Sequence, residues 1–284
     1  MILRLSIVLV LSVKVISYET STETFLKKIL NGYDPLEHPR ASQLDQFRTY
    51  FNLFIHHLSV SSGSKIKING FVKTEWRDRR LRWNPAEYNR TKMVVLPDEA
   101  RIWTPVLLHL RGSRYEASKD ARVRTKRRLR VVSINRIEVA TAVESYQISE
   151  EIDCTVIGSF PSEMLDCSLD FINASPYSKE SLQTHQSDIF LKTIFMSDDD
   201  SVKLNGWSIL SARQLVSVFD PVTDEFSSPN KYFNSDPKEL SKKHGAVRCR
   251  LLLQRDDPSQ TIITFIPIIM TMAILAAAWL APPK

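Results

Sequence analysis

Six histidines, three cysteines and one short acidic run are the side chains from which a metal centre or a nucleophilic site would be built. Such chemistry needs two or more groups held a few ångströms apart, which a sequence announces as fixed spacings. Those spacings are missing. There is no H-E-x-x-H, no G-x-S-x-G and no C-x-x-C, and with 7 glycines there is no Gly-rich loop to cradle a phosphate. His56 and His57 are neighbours, but on a regular strand adjacent side chains point to opposite faces, so the pair is not expected to share a metal from that strand. Asp198-Asp199-Asp200 lacks the spaced oxygen ligands of a calcium loop and reads as a solvated turn. No metal and no cofactor is expected, and the residue chemistry points away from an enzyme.

The chemistry that remains is that of secretion. Cys154 and Cys167 enclose 12 residues, and a disulfide closing a loop of that size stabilises a fold by roughly 3 kcal/mol. Cys249 is left over. Asn89-Arg90-Thr91 and Asn173-Ala174-Ser175 are N-x-[ST] glycosylation sequons. Both features presuppose an oxidising, exported compartment, and the N-terminus supplies the entry. Arg4, the apolar run Leu5 to Val13 and Val15-Ile16-Ser17 have the layout of a signal peptide over residues 1–17. At the other end Ile262 to Leu280 is uncharged over 19 residues. As a helix rising about 1.5 Å per residue it just crosses a hydrocarbon layer of about 30 Å. A membrane helix over 262–280 with 18–258 outside the plasma membrane is the first expectation. The removable tail of a lipid-anchor signal and a chain that continues further are the alternatives.

Elements must position these groups. Residues 23–30 form an amphipathic helix with Phe25, Leu26, Ile29 and Leu30 on one side and Asn31-Gly32 as its stop. Lys65 to Trp76 alternates, placing Ile66, Ile68, Val72 and Trp76 on one face and Lys65, Lys67, Lys73 and Glu75 on the other. Phe71 falls on the lysine side, an outward aromatic available to a ligand or partner. Further apolar runs at Phe47–Leu58, Arg122–Val132, Glu138–Ile148, Ile189–Met196, Ser208–Val218 and Val247–Gln254 complete a mostly β chain, an immunoglobulin-like β-sandwich with a short N-terminal helix. The net charge of +6 is local: Lys119 to Arg130 holds seven basic residues against Asp120. That tract would pass for a nucleic-acid contact, but entry into the secretory pathway excludes nucleic acid as the partner. It is expected to be a basic strand edge or an inserted hairpin.

Glu75-Trp76-Arg77-Asp78-Arg79-Arg80-Leu81-Arg82-Trp83-Asn84-Pro85-Ala86-Glu87-Tyr88 closely resembles the E-W-x-D-x-x-L-x-W-N-P-x-x-Y signature of the Cys-loop ligand-gated ion channels, in particular nicotinic acetylcholine receptor subunits. Tyr33-Asp34-Pro35, Leu96-Pro97-Asp98 with Ile102-Trp103-Thr104-Pro105, Phe160-Pro161 with Cys167, Asn205-Gly206-Trp207 to Arg213, and Pro267 follow in the family's order. The resemblance implies an extracellular sandwich, a Cys154–Cys167 bridge, pentameric assembly with other receptor subunits and a small-molecule neurotransmitter bound between neighbours.

Departures from the pattern shape the expected role. Quaternary ammonium ligands are held by several ring faces, yet two of the family's binding-aromatic positions are Leu110 and Ala174 here, and no adjacent cysteine pair occurs between Gln214 and Ala246. Phe71 falls where the neighbouring face usually offers a tryptophan. The candidate ligand-binding rings are therefore Phe71, Tyr232 and Phe233. The chain is expected to act as an accessory or complementary-face subunit, with a soluble or lipid-anchored binding or assembly-modulating protein as the alternative. The cysteine loop is one residue shorter than the family's, and Glu163 stands where its acidic residue would be.

Overall fold

The computed structural model describes residues 23–39, 47–61, 64–111, 114–117, 128–134, 140–159, 162–177, 179–185, 190–191, 206–232, 235–256 and 258–280. The signal peptide 1–17, the basic residues 119–127, Phe160-Pro161, Asp198-Asp199-Asp200 and Phe233 lie outside them.

A helix over 23–29 is followed by strands β1 (Phe47–Val60), β2 (Lys65–Arg77), β3 (Met93–Leu96), β4 (Leu107–Arg111), β5 (Arg114–Ala117), β6 (Arg128–Ile134), β7 (Ala140–Asp153), β8 (Thr155–Ile157), β9 (Met164–Pro176), β10 (Glu180–Gln183), β11 (Phe190–Leu191), β12 (Trp207–Asp220), β13 (Glu225–Ser227) and β14 (His244–Arg255). They form two sheets. One runs β10-β1-β2-β7-β6-β3 with β11 also on β1; the other runs β13-β12-β14-β9-β4-β5 with β8 on β9. The protein is a mostly β sandwich, as its period-2 stretches require.

The inner faces bury Phe51, Leu53, Ile66, Ile68, Val72 and Tyr146 of the first sheet against Leu165, Phe171, Val247, Leu251 and Leu253 of the second. Cys154 and Cys167 are bonded inside this core. Gln214 stitches the two sheets together, its Oε1 accepting the Leu53 N–H at 2.9 Å. A second core lies under the N-terminal helix, where Phe25 packs with Trp76, Leu81, Trp83 and Leu96.

One glycine is demanded by geometry. The β1–β2 register passes from Ile55↔Gly70 to His57↔Asn69, so His56 is the extra residue of a β-bulge. A Cβ on Gly70 would stand 2.2 Å from the Phe54 carbonyl oxygen. The bulge also sets the surroundings of the histidine pair. Ile55 and Leu58, which flank it, are both buried, while His56 is half-buried and His57 exposed. Neither histidine points into the core, and the strand alternation that would separate them is interrupted between them.

After β14 the chain continues as a helix, Pro258–Leu280, of 23 residues with Pro267 inside it. Its described apolar side chains, including Ile262, Ile263, Ile266, Ile269 and Leu275, are exposed. Among the described residues no helix is long and apolar enough to cross a membrane.

Candidate ligand face

The outward face of the first sheet gathers rings. On β2 every second residue from Ile66 to Trp76 is buried and Phe71, in the opposite register, is half-buried and turned out. It stacks on Phe54 of β1, its register partner, with centroids 4.6 Å apart and planes at 7°. Phe54 covers one face of the Phe71 ring; Gln147 of β7 lies across the strand on the other side. Further along the same face Tyr50 stacks on His185, 4.2 Å apart and nearly parallel. His185 Nε2 is 3.5 Å from Glu75 Oε2, and Lys73 Nζ is 3.5 Å from the same oxygen. The face therefore offers two stacked aromatic pairs beside one carboxylate. Rings supply attraction to a cation through their quadrupole, while the Glu75 charge is already met by Lys73. Tyr50 and Phe54 are legible on β1, since four residues apart on a strand means one face. His185 is brought in by the long-range fold and carries no local signal.

The other sequence candidates do not join this face. Tyr232 is 7% exposed, and Lys243 Nζ sits 5.0 Å from its ring centroid. That ammonium is 2.6 Å from Asp220 and 3.7 Å from Glu239. The hydrogen bond from Lys243 holds the Asp220 carboxyl below its usual range, and the same bond raises the lysine. Tyr232, expected as a ligand ring, therefore has its face occupied by the chain's own lysine. Phe226 is likewise covered, with the Arg248 guanidinium 4.2 Å away and that arginine forked onto Asp170 at 2.8 and 3.0 Å. Ala174 is exposed and brings no ring.

The two sequons part company. Asn89 is exposed at a positive-φ turn. Asn173 is fully buried, with its Oδ1 accepting the Ser175 N–H at 2.9 Å, so the folded chain leaves no room for a glycan on its amide nitrogen. The basic tract is also partly absorbed. Arg130 is 8% exposed and donates to the carbonyls of Ala100, Pro97 and Asp98 at 2.5, 2.9 and 2.8 Å, clamping the turn after β3.

Two motif sets have structural work. The Asp78 carboxylate, fully buried, accepts the Tyr33 hydroxyl at 2.7 Å and Arg80 through its backbone N–H, Nε and Nη2. The Trp103 N–H donates to the Tyr33 hydroxyl at 3.0 Å, and burial pushes the Tyr33 phenol well above its ordinary value. At the opposite end Glu163 pairs with Arg255 at 2.6 Å, and the guanidinium lies 5.4 Å from the Trp207 ring. The residue in the acidic position of the cysteine loop is therefore tied to the strand that leads into Pro258–Leu280.

The structure is thus a two-sheet sandwich pinned by a short cysteine loop, with aromatics on the outward face of one sheet. Residues 22–233 match the neurotransmitter-gated ion-channel ligand binding domain, and the chain belongs to that family of channel proteins. It is 30% identical to the human neuronal acetylcholine receptor subunit beta-3 over 159 residues, covering 55% of this chain and 32% of that one. It is 28% identical to the human alpha-5 subunit over 194 residues, covering 67% and 38%, and 29% identical to the human alpha-4 subunit over 151 residues, covering 52% and 23%. The matched part spans between about a quarter and two fifths of the length of these relatives.

Proposed function

We propose that the chain is a nicotinic-receptor-like subunit that takes part in transmitter-gated signalling at the plasma membrane, assembled with other receptor subunits and contributing the complementary face of a shared ligand pocket. The outward Phe71, backed by Phe54, is the observation that carries this reading. One free ring face is a weak cation site, worth about 0.5–1 kcal/mol when exposed, and becomes a strong one only when a neighbour supplies the remaining walls. Among the described residues the chain's own opposite side does not supply them, since Ala174 carries no ring and the Tyr232 ring is taken by Lys243. Pro258–Leu280 serves in this reading as a single membrane span. Its 23 residues rise about 35 Å as a helix, and its described apolar side chains find no cover in the sandwich.

The test is co-expression with a complete acetylcholine receptor subunit, measuring surface receptor number and acetylcholine dose–response. Phe71→Ala is expected to leave surface number unchanged and to shift the half-maximal agonist concentration upward by about three- to tenfold. An unchanged dose–response together with unchanged surface number, with and without the wild-type chain, would refute the complementary-face role. A soluble or lipid-anchored binding protein without channel activity is the second reading.

A further inference from the structure

Four of the six histidines are engaged within the fold. His38 lies 3.4 Å from Glu180, His109 3.4 Å from Glu150 and His185 3.5 Å from Glu75, while His244 Nδ1 is 2.9 Å from the Asn173 carbonyl. His56 and His57 have no such partner among the described residues. They are also where β1 bulges. On a regular strand Ile55 and His57 would share the inner face and His56 and Leu58 the outer one. Here Ile55 and Leu58 are 3% and 5% exposed and both belong to the core. The extra residue falls between them, so two consecutive imidazoles leave the strand on its solvent side. Gly70 makes this possible, because any side chain there would strike the Phe54 carbonyl.

We propose that His56 and His57 form a two-nitrogen binding site for a divalent transition-metal ion on the outward face of the first sheet, separate from the Phe54–Phe71 wall. Imidazole nitrogen suits borderline ions such as Zn²⁺, Cu²⁺ and Ni²⁺, whereas Ca²⁺ and Mg²⁺ call for a shell made of oxygen ligands, into which two imidazoles do not fit. Directly opposite His57 on β2 is Asn69. Its Oδ1 accepts the Ser149 hydroxyl at 2.7 Å and keeps a second lone pair for the ion or for a water on it. Water completes the coordination. Only neutral imidazole ligates, so the metal ion competes with protons for the two nitrogens.

The experiment uses the purified full chain. Zn²⁺ titration by calorimetry is expected to give one ion per chain, weakened about tenfold or more in both His56→Gln and His57→Gln and unchanged in His185→Gln. With Cu²⁺ as probe, electron paramagnetic resonance should show two equatorial nitrogens in the wild type and one in each single variant. Mass-spectrometric footprinting with diethyl pyrocarbonate gives a readout that needs no variant: Zn²⁺ should protect His56 and His57 from modification and leave His185 reactive. Binding that survives both substitutions, or the absence of protection at His56 and His57, would overturn the proposal.

Discussion

The Asp78 carboxylate shows what a motif residue does that its spacing does not tell. Asp78 is visible in the sequence as one letter of a tryptophan-rich signature, but its role depends on Tyr33, 45 residues away, and on Arg80. A buried carboxylate that collects a hydroxyl and a forked guanidinium leaves an unpaired charge when either partner goes. Asp78→Ala is expected to cost about 3–5 kcal/mol in urea-unfolding free energy, with Tyr33→Phe costing about 1 kcal/mol. A loss under 1 kcal/mol in the first variant would mean that the cluster is not a structural centre. The sequons were equally legible as triplets and equally silent on burial. A glycosidase-sensitive mass shift is expected to vanish in Asn89→Gln and to persist in Asn173→Gln, because only Asn89 is exposed.

Strands with one dry face were readable and those with two were not. β1, β2, β12 and β14 announce themselves by alternation, but β9 is buried from Leu169 through Asn173 without a break. Its outward side is covered too: Ile172 packs with Phe219 and Ala246, and Asp170 is held by Arg248. The bulge was hidden for a different reason, since a register slip is a property of two strands together. Gly70→Ala is expected to lower stability by about 2–4 kcal/mol through the clash with the Phe54 carbonyl. An unchanged denaturation midpoint would show that β1 relaxes around it. The second sheet also carries a pH dependence. Hydrogen bonding from Arg250 depresses the Asp166 carboxyl, and bonding from Lys243 depresses Asp220. A folded-state value below the unfolded one, near 3.9, contributes stability at pH above that value and loses it as the pH falls through the folded value. Urea midpoints should therefore drop between about pH 5 and pH 2, and the double variant Asp166→Asn, Asp220→Asn should begin lower and drop less. Equal drops in both proteins would contradict this assignment.

At the scale of the whole molecule, the sandwich could be read because its strands and its family signature are written in contiguous residues, whereas the candidate face could be read only in part. Phe71 was available from alternation, while Glu75, Tyr50 and His185 meet by pairing β1 with β2 and by bringing a segment over 100 residues away onto them. In the proposed reading, Pro258–Leu280 decides how the sandwich is held at a membrane. A helix that crosses the bilayer has every backbone polar group satisfied internally and resists both alkaline wash and lipid-cleaving enzymes. A cleaved tail replaced by a glycolipid leaves the protein attached through acyl chains alone. The full chain expressed in animal cells is accordingly expected to stay in the membrane pellet after alkaline carbonate and after phosphatidylinositol-specific phospholipase C. A stop codon in place of Pro258 is expected to send the sandwich into the medium with its Cys154–Cys167 bond intact, because that bond and both cores lie before the helix. Release of the full chain by the phospholipase would transfer it to the lipid-anchored reading, and retention of the shortened chain on membranes would show that the sandwich itself carries the attachment.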